Sequence, residues 1–226
     1  MVIKMEELFN KINIQIKDMT LYERAFSHTS YSNEHKKKSS YERLEFLGDA
    51  VVDLVVADYL YSKKDFTEGE MTKTRASYVC ENALFEYAND LGLSTYIKIG
   101  HGEQKENGNH KKTIVADVFE ALIGAIYLDL GYSTARRVVL NLIVPYIEDE
   151  NIVFFSDYKT TLQEFVQTTQ KSVSYVLVNE EGPAHEKSFT VEVVINDIVM
   201  GSGVATSKKE AEQEAAKMAI SKLAIK

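Results

Sequence analysis

The stretch Glu42-Arg-Leu-Glu-Phe-Leu-Gly-Asp-Ala-Val51 places carboxylates where a helix should hide its side chains. Leu44, Phe46, Leu47, Val51, Val52, Leu54, Val55 and Val56 run nearly round the whole circumference of that helix, and a helix apolar on all sides is expected to be buried. At 100° per residue, Glu42, Glu45 and Asp49 fall within an arc of about 60°. Three carboxylates on one buried face lose hydration and repel one another, so something positive must compensate them. Asp53 continues the arc, either as a further member or as a solvated position near the helix end.

A second segment repeats the anomaly. Between Thr113 and Leu128 the only charges are Asp117 and Glu120, three residues apart and therefore on one face. Ala121 and Gly124 lie beside them, small enough to let another helix come close. Two buried helices that each present isolated acids make a cage of hard oxygen donors, which suits Mg²⁺ or Mn²⁺ rather than zinc. The competing reading pairs these acids with Arg24, Arg43 or Arg75, but those bases are too few for five acids. His28 and His35 read as structural residues.

Working outward, residues 1–147 read as helix after helix. Leu8, Ile12, Ile14 and Ile16 open the chain, and helices are expected over 21–30, 41–62, 73–91, 113–130 and 133–147. Gly92 and Gly131 stand where helix C-caps belong. Pro145 and Glu148-Asp149-Glu150-Asn151 close this region.

Beyond residue 155 the texture changes. A helix over 159–170 and a short strand over 175–179 precede Phe189 to Ile195, where Phe189, Val191, Val193 and Ile195 alternate with their neighbours as a strand with one buried face does. Asn196-Asp197 predicts a two-residue turn, with a returning strand over 198–206. Ser207 then caps a last helix whose Ala211, Ala215, Ala216, Ala219 and Leu223 form one apolar stripe. The expected organisation is multidomain: an all-α unit over 1–152 and an α+β unit of order α-β-β-β-α over 156–226.

Composition constrains function without deciding it. The net charge is −8, which points away from nucleic acid, since phosphate binding rests on Lys and Arg. A site that gathers carboxylates for metal ions would itself push the count negative. The single cysteine, Cys80, excludes an internal disulfide and suits a reducing cytoplasm. Acids within the first ten residues speak against a signal peptide, and no run reaches the roughly 18 apolar residues of a membrane span. Neither Cys-x-x-Cys nor His-Glu-x-x-His nor a phosphate-loop Gly-Lys-Ser/Thr occurs. Gly201-Ser-Gly203 lies in an expected strand and reads as sheet geometry, so no organic cofactor is expected.

The segment Glu42 to Val51 resembles the signature of the ribonuclease III family. Ala25-Phe-Ser-His-Thr-Ser-Tyr31, Glu68-Gly-Glu-Met71 and Ala116-Asp-Val-Phe-Glu-Ala-Leu122 follow that family's order and spacing. The resemblance implies a catalytic domain in which Glu45, Asp49, Asp117 and Glu120 form the metal-binding catalytic set, with Glu42 and Glu68 as secondary acids near the cleavage site. It also implies a homodimer that cuts double-stranded RNA with Mg²⁺, Mn²⁺ being able to substitute, leaves staggered 5′-phosphate and 3′-hydroxyl ends, and processes ribosomal and messenger RNA.

In the tail, Lys159-Thr-Thr-Leu-Gln-Glu164, Gly182-Pro-Ala-His185 and Ser207-Lys-Lys-Glu-Ala-Glu212 resemble the three RNA-facing regions of a double-stranded RNA-binding domain. Such domains read A-form shape across two minor grooves and the phosphates between them. Thr160, Gln163 and Gln167 share a helix face, Pro183 and His185 lie in the inserting loop, and Lys208 and Lys209 stand at a helix N-terminus, which favours phosphate. The tail departs from a strong binder: residues 157–226 hold eight lysines and no arginine against ten acids, a net of −2. Ala184 stands where many relatives carry a polar or basic residue. Two rival readings are a non-cleaving RNA-binding protein on the same fold and a small-substrate phosphohydrolase whose tail serves only dimerisation. Intact acids at four positions oppose the first, and the three RNA-facing motifs oppose the second.

Overall fold

In the computed structural model, which describes residues 2–35, 39–63, 65–149, 151–152, 154, 158–169, 172–183 and 187–223, one helix organises the first unit. It spans Lys112–Leu130 (α8), and eleven of its residues from Ile114 to Ile126 are buried. Around it stand α1 (Val2–Lys11), α2 (Met19–Ala25), α3 (Thr29–Glu34), α4 (Glu42–Ser62), α5 (Glu68–Tyr78), α6 (Glu81–Leu91), α7 (His101–Lys105) and α9 (Tyr132–Ile147). These elements belong to a unit covering residues 1–155, and residues 156–226 form a second.

The first core is built from aromatic and branched side chains of every long helix in the unit. Tyr22, Phe26, Tyr87, Phe119, Leu60 and Leu122 are fully enclosed. Polar groups anchor its ends. The Asp129 carboxylate accepts from the backbone amides of Lys17 and Asp18 (2.9 and 3.0 Å) and from the Tyr22 hydroxyl (3.0 Å), tying the start of α2 to the last turn of α8. Thr67 and Glu70 form a reciprocal capping box that starts α5.

Two expected helices are each divided in two. The span 21–30 breaks at Phe26–His28, where the Phe26 carbonyl accepts from the Lys98 amide (2.8 Å) and the His28 amide donates to the Lys98 carbonyl (3.0 Å). That bridge to a distant segment claims backbone groups that a continuous helix would use, and His28 Nδ1 then caps α3 by accepting from the Ser30 amide. The span 73–91 breaks at Val79–Cys80, where the Tyr78 carbonyl accepts from the Tyr87 hydroxyl (3.1 Å). The short helix α7 has no counterpart in the periodicity of the sequence.

The helix carrying Glu45 also differs from expectation. It is not buried all round: Phe46 and Tyr61 are each 80% exposed and Leu54 is 55% exposed. With Ala50 and Ala57 between them these residues make one apolar stripe along the outer side of α4.

The second unit is α10 (Tyr158–Thr168), β1 (Val173–Glu181), β2 (Ser188–Ile195), β3 (Ile198–Ala205) and α11 (Lys208–Lys222). The antiparallel sheet has order β1-β2-β3. Leu162 and Val166 of α10 and Ala215, Ala216 and Ala219 of α11 bury Val193 and Ile195 of the sheet. Gly201 and Gly203 admit α11 closely, since a Cβ at Gly203 would stand 2.5 Å from the Ala215 nitrogen. Asn196 and Asp197 both take positive φ (47° and 63°), as the two-residue hairpin turn requires. β1 is longer than its residues suggest because pairing with β2, through a bulge at 177–179, carries it to Glu181.

Candidate active site

α4 and α8 cross where each has a glycine. A methyl group built on Gly48 would land on the Glu120 carbonyl oxygen, and one built on Gly124 on the Leu44 carbonyl oxygen. Side chains one or two turns from such a crossing are brought together. Glu45 reaches across from α4, and Asp117 and Glu120 reach back from α8, so that each offers a carboxylate oxygen and all three oxygens lie within 4.8 Å of one another.

Each of these groups is half-buried, and the cost of holding unpaired charge there appears in their proton affinities. Burial, then the charges of Asp49, Glu45 and Asp117, pushes Glu120 up to about 8. Burial, then Asp117, Glu42 and Asp49, pushes Glu45 up to about 7. Asp117 is raised by burial too, partly offset by a hydrogen bond from the Tyr41 hydroxyl (3.0 Å). Among the described residues no lysine or arginine forms an ion pair with any of the three. The arginine-paired reading therefore has no support at this site.

The other acids stand apart from this trio. Asp49, expected as a fourth ligand, is exposed and lies outside the cluster, although its charge is the strongest of those acting on Glu120. Like charges separate where solvent allows it, and Asp49 is the member of the expected set with open solvent beside it. Burial and Asp53 raise its proton affinity. Glu42 is exposed and accepts from the Ser40 hydroxyl at 2.8 Å. Glu68 lines a groove between α4 and α5 with Leu54, Tyr61, Met71 and Arg75, and does not join the trio.

Two residues of the site escape a reading of the sequence alone. Gly48 carries a usable signal, because glycine inside a helix costs about 1 kcal/mol relative to alanine and implies a close approach. Tyr41 carries none, since an aromatic residue before a helix reads simply as core.

In the second unit Gln163 and Gln167 are exposed on α10 and Thr160 is half-buried, on the side away from Leu162 and Val166. Lys208 and Lys209 are exposed at the start of α11, where the Ser207 hydroxyl accepts from the Glu210 amide. Gly182 has φ of 92° and Pro183 is exposed, while Ala184 and His185 lie outside the described residues. The lysines are partly engaged already. Lys159 pairs with Glu212 at 2.5 Å and sits 4.7 Å from the Tyr175 ring centre. Lys187 pairs with Glu180, and Lys208 lies 4.0 Å from the same carboxylate and 5.7 Å from the Phe189 ring centre.

Comparison with known proteins agrees with both halves of this description. Residues 18–147 match the family model described as ribonuclease-III-like, and residues 158–223 match the double-stranded RNA binding motif. Ribonuclease 3 of Onion yellows phytoplasma (strain OY-M) is 48% identical over 220 residues, covering 97% of this chain and 91% of that protein. Ribonuclease 3 of Streptococcus pyogenes serotype M3 is 44% identical over 225 residues, covering 97% and 98%. Among solved structures, the nuclease domain of ribonuclease III from Campylobacter jejuni, described with flexibility in a region involved in dimer formation, is 40% identical with a TM-score of 0.58, covering 62% of this chain and 96% of that one. An acid trio on a glycine crossing, an α-β-β-β-α tail and near-full-length relatives lead to one conclusion: the chain belongs to the ribonuclease III family of double-stranded RNA endoribonucleases.

Proposed function

We propose that this protein hydrolyses phosphodiester bonds of double-stranded RNA in a metal-dependent reaction, with Glu45, Asp49, Asp117 and Glu120 as the metal-binding catalytic set. The observation that carries the reading is the convergence of Glu45, Asp117 and Glu120 with no lysine or arginine paired to them among the described residues. Three hard carboxylate oxygens with no histidine or cysteine among them fit Mg²⁺, or Mn²⁺ in its place. Such an ion, when bound, supplies a Lewis acid and lowers the pKa of a coordinated water.

The chain's own residues prepare the site for that chemistry. Glu45, Asp117 and Glu120 bring three carboxyl groups of raised proton affinity into a half-buried crossing, and Asp49 adds a fourth from the solvent edge. Glu42 and Glu68 are the secondary acids of this reading. In the second unit, Thr160, Gln163 and Gln167 address one minor groove, Pro183 and His185 the next, and Lys208 and Lys209 the phosphates between them. The products carry 5′-phosphate and 3′-hydroxyl ends with staggered cuts.

The apolar stripe of Phe46, Leu54 and Tyr61 supports a homodimer, since a face of that kind is unfavourable in water. The cellular role we propose is ribosomal and messenger RNA processing in the cytoplasm. No helix among the described residues is long and apolar enough to cross a membrane. The test is to incubate the full chain with long duplex RNA, single-stranded RNA and duplex DNA, each with Mg²⁺ or EDTA. Cleavage confined to duplex RNA with Mg²⁺ is the expected result, and cleavage in EDTA would end the metal-dependent reading.

A further inference from the structure

Tyr41 precedes α4 and is only 4% exposed. Its three polar groups all have partners. The amide donates to the Ser27 carbonyl (3.0 Å), the carbonyl accepts from the amides of Leu44 (2.7 Å) and Glu45 (3.0 Å), and the hydroxyl donates to Asp117 Oδ2 (3.0 Å). The ring packs against His28, with centres 5.7 Å apart, and the His28 ring is itself held by Ser30 at 2.7 Å. One immobile residue therefore touches both acid-bearing helices. It fixes the first turn of α4 at Glu45 through its backbone and the carboxylate of Asp117 on α8 through its side chain.

We infer that Tyr41 is a positioning residue of the acid site, holding the Asp117 carboxylate in the orientation in which it meets Glu45 and Glu120. This inference rests on the metal-site reading proposed above. Free rotation of Asp117 would let it turn away from Glu45 and Glu120, because crowded carboxylates gain by separating. A hydrogen bond from a buried, neutral donor opposes that rotation without neutralising the carboxylate. Partners that orient a metal-binding carboxylate in this way typically govern affinity by about 10- to 100-fold.

The test is Tyr41→Phe in the full chain, which refills the buried volume and removes only the hydroxyl. Mn²⁺ binding without RNA is followed by calorimetry, and by the rise in melting temperature from EDTA to saturating Mn²⁺, which cancels any baseline change in stability. Cleavage of duplex RNA is measured across the same Mn²⁺ range. A positioning role gives an Mn²⁺ dissociation constant raised about 10-fold or more, a smaller metal-induced rise in melting temperature, and cleavage that recovers at high Mn²⁺. Equal Mn²⁺ affinity in the two proteins overturns the inference, as does a cleavage plateau that stays low with affinity unchanged. If the unmutated protein itself binds no Mn²⁺ saturably, the metal-site reading falls and takes the role of Tyr41 with it. That outcome is distinct from equal affinity, which removes Tyr41 alone.

Discussion

Gly48 and Gly124 face each other across α4 and α8: a Cβ on Gly48 would stand 3.0 Å from the Gly124 nitrogen, and one on Gly124 would stand 3.2 Å from the Gly48 nitrogen. Neither backbone can yield without moving its whole helix, and both helices are locked into the core. The separation of Glu45 from Glu120 is therefore set by the absence of two methyl groups.

Gly48→Ala is expected to destabilise the first unit by about 3 kcal/mol or more, the upper range for forcing a methyl into a packed interior. The loss should exceed anything gained from alanine's better helix propensity, about 1 kcal/mol. Urea unfolding followed by circular dichroism measures it. An unchanged midpoint would show that the crossing is looser than described.

Glu120→Gln keeps the shape of the side chain and removes one of three crowded ionisable carboxyl groups. We expect a protein that folds at least as stably, still binds duplex RNA, and cleaves it on the order of 10²-fold more slowly, as loss of a metal ligand implies. Thermal melting, gel shift and single-turnover cleavage on one preparation check all three. Full activity in a stable Glu120→Gln protein would remove this acid from the catalytic set.

Proton affinity gives the acid trio a signature in stability. Burial and mutual repulsion raise Glu120 to about 8 and Glu45 to about 7, above the ordinary glutamate value of 4.5. Between those limits the folded chain keeps protons that the unfolded chain has released, so folding is favoured on the acid side and loses ground as pH rises. In EDTA the melting temperature should fall from about pH 5.5 to about pH 8, and fall less in Glu120→Gln. A melting temperature that climbs over this interval would contradict the shifts.

Periodicity makes most of the helices and the order of the tail legible, because apolar spacing records which face is buried. Long-range backbone pairing is not legible. Nothing local to Phe26–His28 announces that Lys98 will claim its hydrogen bonds and divide a helix there. For the site, isolated acids on apolar helices point to Glu45, Asp117 and Glu120, and the structure brings those three together. The separation of Asp49 is not readable, since an arc on a helical wheel gives direction but not depth. The exposure of Phe46 and Leu54 is hidden for the opposite reason: a helix apolar on every side does not say which side lacks a neighbour within its own fold.

Phe46→Asp tests that uncovered side. Placing a charge in the apolar stripe of α4 should shift the mass in solution from about twice 25.6 kDa to 25.6 kDa by light scattering at micromolar concentration. The monomer fold should survive, because Phe46 is 80% exposed. A parent protein that is already monomeric and active would refute the homodimer.

Lys208→Ala with Lys209→Ala should weaken duplex RNA binding by similar factors for unrelated sequences. The slope of log affinity against log salt should become shallower by about one for each phosphate that is no longer neutralised. Because Lys208 already shares Glu180 and the Phe189 ring, Lys209 alone is expected to account for more of the change. Binding isotherms across a salt series separate the two lysines, and a slope unaltered by both substitutions would place phosphate recognition elsewhere.

The enclosure of α8 from Ile114 to Ile126 also governs the order in which the first unit comes apart. Amides in an element sheathed on every side exchange with deuterium only when the largest opening events occur, whereas outer helices open locally at lower free energy. Asp117 and Glu120 thus ride on the segment expected to surrender its protons last. A chain with α1 or α5 frayed would keep those two carboxylates in register with each other.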